Sequence, residues 1–403
     1  MTRAERLTPK AAVVGAGPSG LLAAIALAEG GIETALIGRS APADHRTTAL
    51  MSGSVTALET LGVWNRCREH AAPLATLRIA DDTARLLRAP EARFEAAEIG
   101  LPAFAYNIEN RHLVAALEAR ARDLPAIRRI EENATNVGVA PSPEVILESG
   151  NRLSAALIVG ADGARSLCRA AAGIEMTGWH YPQHALTFNI RHSRPHHDIS
   201  TEFHTENGPF TLVPLPGLRS SIVCVVDPSE AERLRALDDG ALAREIETRS
   251  HSILGKISLD PGRGFFPLTV EAAKSFAARR IALIGEAAHR LPPIGAQGLN
   301  LGLRDAATIA ELAVAANGAG EDIGGPDVLS RYDTQRRSDV TARTVAVDLL
   351  NRSLLSDFLP VQGARGFGIY LMNRIGSLRR AVMQEGVNPV SAAPRLMRGE
   401  SLR

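Results

Sequence analysis

The sequence predicts an α/β fold: a Rossmann-type dinucleotide-binding domain, interleaved with a sheet-based second domain and followed by a helical C-terminus. Three glycine-bearing clusters carry this prediction. They are GAGPSG at residues 15–20, GADG at residues 160–163, and GEAAH at residues 285–289 continued by PIGAQGLN at residues 293–300. An apolar run precedes each cluster, so each is expected to be a loop that follows a strand.

The composition is that of an ordinary globular protein. The chain has 403 residues, of which 45% are apolar and 22% charged, enough for two domains with a substantial core. A formal net charge of +1 gives no reason to expect nucleic acid as a partner. Cys67, Cys168 and Cys224 lie far apart and show no metal-binding spacing, so we expect reduced thiols, no metal site and a cytoplasmic location.

The first cluster has the spacing of a dinucleotide-binding loop. An apolar run at residues 11–14 precedes it and LLAAIALA at residues 21–28 follows it, so strand, turn and helix succeed one another. In such a loop Gly15 permits the tight turn, Gly17 lets the backbone approach a pyrophosphate, and Gly20 lets helix and strand pack closely. The uncharged stretch also resembles a targeting or membrane segment, but its glycines favour the nucleotide loop.

The second strand ends without the acidic residue that usually binds the adenosine ribose. Gly38 stands in that place, after the run IETALI at residues 32–37, and Glu33 lies too early. The next residue, Arg39, could instead bind a 2′-phosphate. This leaves an ordinary NADP-dependent dehydrogenase open as an alternative.

The third cluster leads into a second long helix. The loop that precedes this helix contains Pro292, Pro293, Gly295 and Gly298. A loop so rich in glycine and proline brings backbone N–H groups against a flat ligand, and a helix N-terminus places positive potential beside it. That potential suits the negative charge of a reduced flavin.

With these clusters in place, the chain resembles the FAD-dependent aromatic hydroxylases of the para-hydroxybenzoate hydroxylase class. Within that class it is similar to the ubiquinone-biosynthesis branch, the UbiH/UbiF/Coq6-type hydroxylases. The resemblance covers roughly residues 10–385. The narrower similarity rests on RTTAL at residues 46–50, LGVW at 61–64, DGARS at 162–166, WHYPQ at 179–183, GPFTLVPL at 208–215 and GLNLGLRD at 298–305.

The resemblance implies a set of FAD contacts. They are Gly15, Gly17, Ser19 and Gly20 at the pyrophosphate, Arg46 and Thr47 on the ribityl and phosphate side, Arg111 near the phosphates, Asp162 and Gly163 in a motif linked to FAD and the pyridine nucleotide, Glu286 at the ribityl chain, and Gly295, Gly298, Leu299 and Asn300 along the isoalloxazine. Arg39, after the second strand, is a further candidate for cofactor binding. Pro293, in the same loop, is the candidate catalytic residue.

Some of these residues also have ordinary structural explanations. Arg46 and Arg111 could be solvated surface arginines, and Asp162-Gly163 is a common turn pair. The chain departs from the family pattern at Gly38 and at Glu286, which replaces an aspartate. We expect His112 and His289 to be structural, because no carboxylate or second histidine lies at a telling spacing from them.

The resemblance also implies a reaction. NADH or NADPH, bound without a Rossmann domain of its own, reduces the flavin. The reduced flavin then forms a C4a-hydroperoxide with oxygen, and this species hydroxylates a phenolic ring such as a ubiquinone precursor, with or without a polyprenyl tail. A flavin-dependent reductase of the same fold and a non-catalytic flavin-binding subunit of a biosynthetic complex remain the alternatives.

The chain is expected to pass between two domains more than once. The expected FAD-binding domain comprises residues 1–75, 102–178 and 274–345, the substrate domain residues 76–101 and 179–273, and the C-terminal helical region residues 346–403. Within the last region, residues 359–380 mix apolar side chains with arginines. This pattern suits peripheral docking at the inner membrane or packing against the protein itself or a partner subunit.

Overall fold

The computed structural model describes residues 6–40, 44–84, 88–140, 142–293, 295–355, 368, 372, 374–387 and 393–403. A mostly parallel sheet forms its first layer. The strands of this sheet are β2 (Ala11–Val14), β3 (Thr34–Ile37), β9 (Ile127–Ile130), β13 (Leu157–Gly160), β19 (Ala277–Ala278) and β20 (Ile281–Leu283). Their order is β19-β20-β13-β2-β3-β9, and all neighbours are parallel except β19 and β20.

The central strands of this sheet are buried along their whole length, which explains why they are continuous apolar runs in the sequence. Helices cover the sheet. They include α1 (Pro18–Glu29), α3 (Asn110–Arg122), α4 (Leu167–Ala172), α7 (Gln297–Gly318) and α8 (Pro326–Leu355). The stretch that resembled a targeting segment is therefore β2, a loop and α1. Among the helices that the structure describes, none is long and apolar enough to cross a membrane.

A second, larger sheet lies beside the first. Its strands are β6 (Thr76–Asp81), β7 (Ala92–Glu95), β14 (Met176–His192), β15 (Ile199–Thr205), β16 (Gly208–Leu215), β17 (Arg219–Val226), β18 (Ile257–Ala273) and β21 (His289–Arg290). They are arranged in the order β21-β18-β14-β17-β16-β15-β6-β7. The strands predicted around residues 77–80, 93–96, 184–190, 210–215 and 221–226 are confirmed within this sheet.

The two faces of the larger sheet have different neighbours. Helices α5 (Pro228–Ala236) and α6 (Asp239–Arg249) pack on one face, against an apolar cluster that contains Leu186 and Phe188. Successive residues of a strand point to opposite faces, so Ala185 and its neighbours on β14 lie on the other face. That face packs against Leu291, in the loop after β21.

Two smaller sheets, two further α-helices and several short 3₁₀ helices make up the rest of the described secondary structure. The first small sheet has the strands β4 (Thr47–Met51), β5 (Ala71–Leu74) and β8 (Ala105–Glu109), and the second has β1 (Arg6–Leu7), β10 (Ala134–Gly138), β11 (Glu144–Leu147) and β12 (Arg152–Ser154). The helices are α2 (Ser52–Thr60) and α9 (Gly376–Val387).

The predicted start of the C-terminal helical region, residue 346, lies inside a helix. Helix α8 continues through this position to Leu355, because neither glycine nor proline interrupts the sequence between residues 327 and 355. The last described residues then return to the first layer, where Leu396, Met397 and Leu402 join its core. Most of the arginine-containing stretch at residues 359–380 lies outside the described residues.

A buried carboxylate fixes the loop after β20 to the helices behind it. Asp305 on α7 accepts hydrogen bonds from the backbone N–H of Gly285 (2.9 Å), from Nε2 of His289 (2.6 Å) and from Nε of Arg336 on α8 (2.6 Å). Burial alone would raise the pKa of Asp305, but the opposite charges of His289 and Arg336 outweigh it and lower the pKa. One side chain thus holds the loop, α7 and α8 in a single arrangement.

We expect Asp305→Ala to destabilise the protein by about 3–5 kcal/mol, because it removes one of the two carboxylates that pair with buried Arg336 and leaves the Gly285 N–H and His289 Nε2 without their acceptor. The measurement is the free energy of unfolding in urea. Glu321→Ala, at an exposed position, is the control and should stay within about 0.5 kcal/mol of the parent. Equal unfolding midpoints for the two variants would contradict the expectation.

Candidate functional site

The three glycine clusters meet at one edge of the first sheet. Strands β20, β13, β2 and β3 are adjacent and parallel, so the loops that follow them emerge at the same edge. Gly160 at the end of β13 is in register with Val14 on β2 and with Leu283 on β20. The carboxyl edge of a parallel sheet is where ligands bind in open α/β folds. The structure therefore places the three clusters around one candidate site.

The first loop depends on two glycines for packing and leaves a third open. Gly15 has φ +116°, and a Cβ added to it would lie 2.2 Å from the carbonyl oxygen of Ala161. A Cβ on Gly20 would lie 2.0 Å from the carbonyl oxygen of Gly15. A Cβ on Gly17 would meet no atom within 4 Å. Gly17 also precedes α1, and no described side chain caps that helix, so its first N–H groups can bind a ligand.

Steric contact explains the missing acidic residue after β3. Gly38 has φ +145°, and a Cβ at this position would lie 2.9 Å from the backbone nitrogen of Ala16. Any side chain here would strain the backbone and collide with the first loop. Arg39 turns away to pair with Glu148 at 2.7 Å, and 65% of its side chain is exposed. A 2′-phosphate on Arg39 would have to displace Glu148.

Ser19 connects the first loop with the third. A Cβ on Gly285 would lie 3.1 Å from the Ser19 hydroxyl oxygen, and one on Gly302 would lie 2.4 Å from it. The start of α1 and the first turns of α7 are therefore in close contact. Glycine at positions 285 and 302 makes this contact possible.

Arg46 directly precedes β4 and forms a bidentate ion pair with Asp44. The guanidinium donates to both carboxylate oxygens of Asp44, with its Nη2 at 2.8 Å from Oδ2, and stacks over the ring of Phe266 at 5.5 Å. The hydrogen bond with Asp44, and more weakly the charge of Glu286, raise the pKa of Arg46. Half of the Arg46 side chain is exposed, as is Glu286, so both can still meet a ligand. Thr47 is the first residue of β4.

Asn300 uses all of its side-chain hydrogen-bonding capacity within the protein. Its Nδ2 donates to the carbonyl oxygens of Ala49 (2.8 Å) and Ala296 (2.6 Å). Its Oδ1 accepts from the Met51 N–H (2.9 Å) and the Ser54 hydroxyl (2.7 Å). An amide side chain offers two donors and two acceptor positions. Asn300 therefore joins the start of α7 to β4 and α2, and only its backbone remains available to a ligand.

The side chain of Asp162 also makes its hydrogen bonds within the protein. Its Oδ1 accepts from the hydroxyl of Ser166 (2.5 Å), and its Oδ2 accepts from the N–H groups of Leu167 (2.7 Å) and Cys168 (3.1 Å). The carboxylate thus caps α4. Next to it, Gly163 has φ +77° and open space around the position of a Cβ, so this turn presents backbone to a ligand.

The loop before α7 is held at its C-terminal end by a contact with α8. Ala296 precedes the helix in the left-handed conformation, at φ +53°. Arg343 on α8 donates to Oε1 of Gln297 at 2.9 Å. Pro293, Gly295 and Gly298 are exposed, and Leu299 is half-buried.

An ionic cluster that the sequence did not reveal joins β8 to the larger sheet. Glu109 is 3% exposed and accepts from Arg111 (3.1 Å) and from Arg219 on β17 (3.2 Å). Burial would raise the pKa of Glu109, but the two arginines lower it. Arg219 also pairs with Asp260 on β18 at 2.7 Å. Within the part of the chain that the structure describes, Nε of Arg111 is buried and has no hydrogen-bond partner.

The face of the larger sheet next to the loop is mostly apolar. Its cluster consists of Tyr181, Ala185, Val223, Val225, Leu268, Val270 and Leu291. Thr187 follows Ala185 on the same face of β14, and its buried hydroxyl has no hydrogen-bond partner among the described residues. The candidate site therefore has a polar edge built from loops and an apolar wall, with the unpartnered hydroxyl of Thr187 on the same face of the sheet.

The structural role of the two histidines stays a prediction, but its premise was wrong, because the fold brings a carboxylate to His289 and both a carboxylate, Glu109, and a second histidine to His112. His289 is buried against Asp305, and His112 stacks on His70 with ring centroids 3.9 Å apart. Among the described residues, no group of three His, Cys, Asp or Glu side chains is arranged to hold a metal ion.

Comparison with known proteins places these features in a family. Residues 8–347 match the FAD binding domain family. The chain is 33% identical to the ubiquinone hydroxylase UbiL of Rhodospirillum rubrum, over 97% of this chain and 92% of that protein. It is 29% identical to the 3-demethoxyubiquinol 3-hydroxylase of Escherichia coli, over 93% of this chain and 97% of that protein.

Solved structures support the same fold. The p-nitrophenol 4-monooxygenase PnpA of Pseudomonas putida superposes with a TM-score of 0.77 at 21% identity, covering 96% of this chain and all of that one. The match to an FAD-binding family decides against an ordinary NADP-dependent dehydrogenase. The chain belongs to the FAD-binding family of flavoprotein monooxygenases, and its cofactor is FAD.

Proposed function

We propose that this protein uses FAD, oxygen and NADH or NADPH to hydroxylate the aromatic ring of a ubiquinone precursor. The names of the similar proteins from Rhodospirillum rubrum and Escherichia coli support this class of substrate. The observation that carries the proposal is the apolar wall around Ala185 and Leu291, which lies directly beside the loop that leads into α7. An aromatic ring could lie between this wall and a flavin.

The residues at the carboxyl edge fit FAD. We propose that the backbone of Gly17 and Gly20, with the Ser19 hydroxyl, binds the pyrophosphate. Open space at Gly17 and the uncapped start of α1 support this assignment. Arg46 and Arg111 supply positive charge, and the unpartnered Nε of Arg111 is a donor that a phosphate or ribityl oxygen would satisfy.

The remaining contacts follow from the same edge. We propose that Thr47 and Glu286 meet the ribityl side, and that Gly163 meets the cofactor through its backbone. The isoalloxazine would lie along Pro293, Gly295, Gly298 and Leu299, with Pro293 nearest the reacting atoms. Gly15, Asp162 and Asn300 would act indirectly, because they hold the loops in place. Arg39 would reach the cofactor only by releasing Glu148.

When bound, FAD supplies the electron transfer and the activation of oxygen. The chain's own residues would do three things. The start of α7 favours negative charge on a ligand, because no side chain among the described residues caps its first N–H groups. The apolar wall excludes water, which would otherwise divert reduced oxygen to hydrogen peroxide. The free hydroxyl of Thr187 would bind the phenolic oxygen and orient the ring.

The reductase and the non-catalytic subunit make different demands on the site. A flavin-binding subunit without activity does not need the loop before α7 to be held in place beside an apolar surface that excludes water. Here Arg343 braces the loop through Gln297, and Leu291 packs into the wall. These contacts favour a catalytic protein over a non-catalytic flavin-binding subunit. A reductase of the same fold would share them, so the fate of molecular oxygen has to separate the two reactions.

We also propose that the protein associates peripherally with an anionic membrane through α9. Consecutive residues of a helix are 100° apart, and the apolar residues of α9 extend over a wide face. Met383 packs against the protein, whereas Leu378 and Val382 are 40% and 48% exposed and follow exposed Ile375. Arg380 is exposed on α9 as well. Exposed apolar side chains next to a cation suit an anionic lipid surface.

The first prediction concerns the reaction. With FAD, NADH or NADPH, and a phenol, the purified protein should incorporate one atom of ¹⁸O₂ into the ring, and mass spectrometry of the product detects it. NAD(P)H oxidation with no label in any product would contradict a hydroxylase. Reduction of the organic substrate under anaerobic conditions would support the reductase instead.

The second prediction concerns the cofactor site. Gly17→Ala should weaken FAD binding roughly tenfold or more, because the methyl group would occupy the space proposed for the pyrophosphate. Gly17 has φ −77°, so the fold itself should tolerate alanine. Flavin fluorescence titration of the apoprotein measures the dissociation constant. Gly138→Ala, also with no atom within 4 Å of the added Cβ, is the matched control. Equal FAD affinity in both variants would refute the assignment.

The third prediction concerns the membrane. The double variant Leu378→Gln/Val382→Gln should reduce binding to vesicles of phosphatidylcholine and phosphatidylglycerol about tenfold, since burial of each apolar side chain stabilises binding. Flotation measures the bound fraction. Leu218→Gln, at a 48% exposed leucine elsewhere, should bind like the parent. Association that is unchanged in the double variant, or absent in the parent, would rule out docking through α9.

A further inference from the structure

A small cavity lies between the start of α7 and helix α8. The space in it for the centre of a water-sized sphere is ≈ 10 Å³, which is about the room that one water molecule or one small ion needs. Residues from distant parts of the chain line it, among them Met51 on β4, Asn300 and Arg304 on α7, Arg343 on α8, and Met397 near the C-terminus. An occupant of this cavity would therefore contact several elements at once.

Arg304 is buried beside this cavity without a hydrogen-bond partner. Only 8% of the residue is exposed. The nearest carboxylate oxygen, Oδ2 of Asp339, lies 3.6 Å from its Nε, and none of the described residues accepts a hydrogen bond from its guanidinium. A guanidinium carries five N–H donors, and buried donors are nearly always satisfied. Arg304 thus needs an acceptor that the described side chains do not supply.

The charges around Arg304 do not balance. Arg336 and Arg343 donate to Asp339 at 2.7 and 3.0 Å, so three arginines surround this one carboxylate. Asp305 compensates Arg336 from its other side, yet in the described structure Nη2 of Arg336 is buried and has no partner. Three arginines therefore face two aspartates in a region where unpaired charge is costly.

This excess of positive charge distinguishes an anion from a water molecule. Burial, helped by Arg343 and Arg336 and opposed by Asp339, lowers the pKa of Arg304 to about 10, so the group is still a cation at neutral pH. A water molecule can accept hydrogen bonds from Arg304 but leaves its charge uncompensated. A monovalent anion supplies both, and a cavity of this size has room for a single atom.

We propose that the cavity beside Arg304 binds a chloride ion. The ion accepts hydrogen bonds from Arg304 and from Nη2 of Arg343, whose Nε and Nη1 already donate to Asp339 and Gln297. Asn300, which lines the same cavity, joins α7 to β4 and α2. Chloride therefore stabilises the packing of α7 against its neighbours. This inference does not depend on the proposed hydroxylation, because it concerns stability and not reaction.

Anomalous scattering locates the ion directly. Crystals of the FAD-loaded parent, grown without halide and soaked in sodium bromide, should give a peak at the bromine absorption edge in contact with the Arg304 guanidinium. Bromide is the probe because it replaces chloride and scatters anomalously. Crystals of Arg304→Met should lack this peak. A water molecule at the position in the parent, or bromide at other positions only, would overturn the inference.

Thermal unfolding tests the site in solution. Sodium chloride replaces sodium gluconate at constant ionic strength, so only the anion changes. A ligand of the folded state raises the unfolding midpoint, by about 1–2 °C for a chain of this length at ten times its dissociation constant. The parent should show this rise, and Arg304→Met should not. Arg122→Met, at an exposed position of α3, is the matched control and should respond like the parent.

The chloride series also separates an ion site from an ordinary ion pair. If Arg304 served only Asp339, Arg304→Met would change the midpoint by the same amount at every chloride concentration. With a chloride site, the midpoint difference between variant and parent should grow as chloride is added. Equal rises in the parent and in Arg304→Met would contradict the proposal. The bromide experiment on the parent needs no variant, so it decides the question if Arg304→Met does not fold.

Discussion

The hydrogen bonds to Asp305 connect the parts of this molecule that a ligand would need at fixed positions. Its carboxylate holds the backbone of Gly285, the ring of His289 and the guanidinium of Arg336. These groups belong to the third glycine cluster, to the strand that edges the larger sheet, and to α8. A buried anion tolerates little movement of its partners, since a lost contact leaves charge without compensation in a low dielectric. Asp305 therefore links loop, sheet and helix through one buried side chain.

Local patterns in the sequence predicted the parts of the site that are built from backbone. The spacing of Gly15, Gly17 and Gly20 marked the first loop, and apolar runs marked the strands that carry the other clusters. Parallel pairing then brings the clusters together, which is why motifs separated by more than a hundred residues share an edge. Gly38 could be noticed in the sequence but not explained there. Its reason is a collision with Ala16, which becomes visible only when both loops are present.

The polar side chains were harder to interpret, because sequence does not show which hydrogen bonds the protein makes for itself. Asn300 and Asp162 stand in motifs that suggest ligand contact, yet backbone groups and serine hydroxyls of the protein satisfy their side chains. No pattern in the sequence pointed to Glu109 as part of the site. Its partner Arg219 is 110 residues away along the chain and meets it only because β8 packs against the larger sheet. Long-range ion pairs of this kind depend on the packing of two sheets, which no local pattern encodes.

The same packing divides the candidate site into two chemical environments. Loops at the carboxyl edge offer N–H groups and arginines, which suit the phosphates of a dinucleotide. The facing sheet offers Ala185, Val225 and Leu291, with Thr187 as a free polar group along the same strand. A ligand with an anionic end and a flat ring would match both environments only if it lay across the boundary between them. Since β14 continues outward to Tyr181 and Trp179, the apolar environment reaches from the candidate site toward the protein surface.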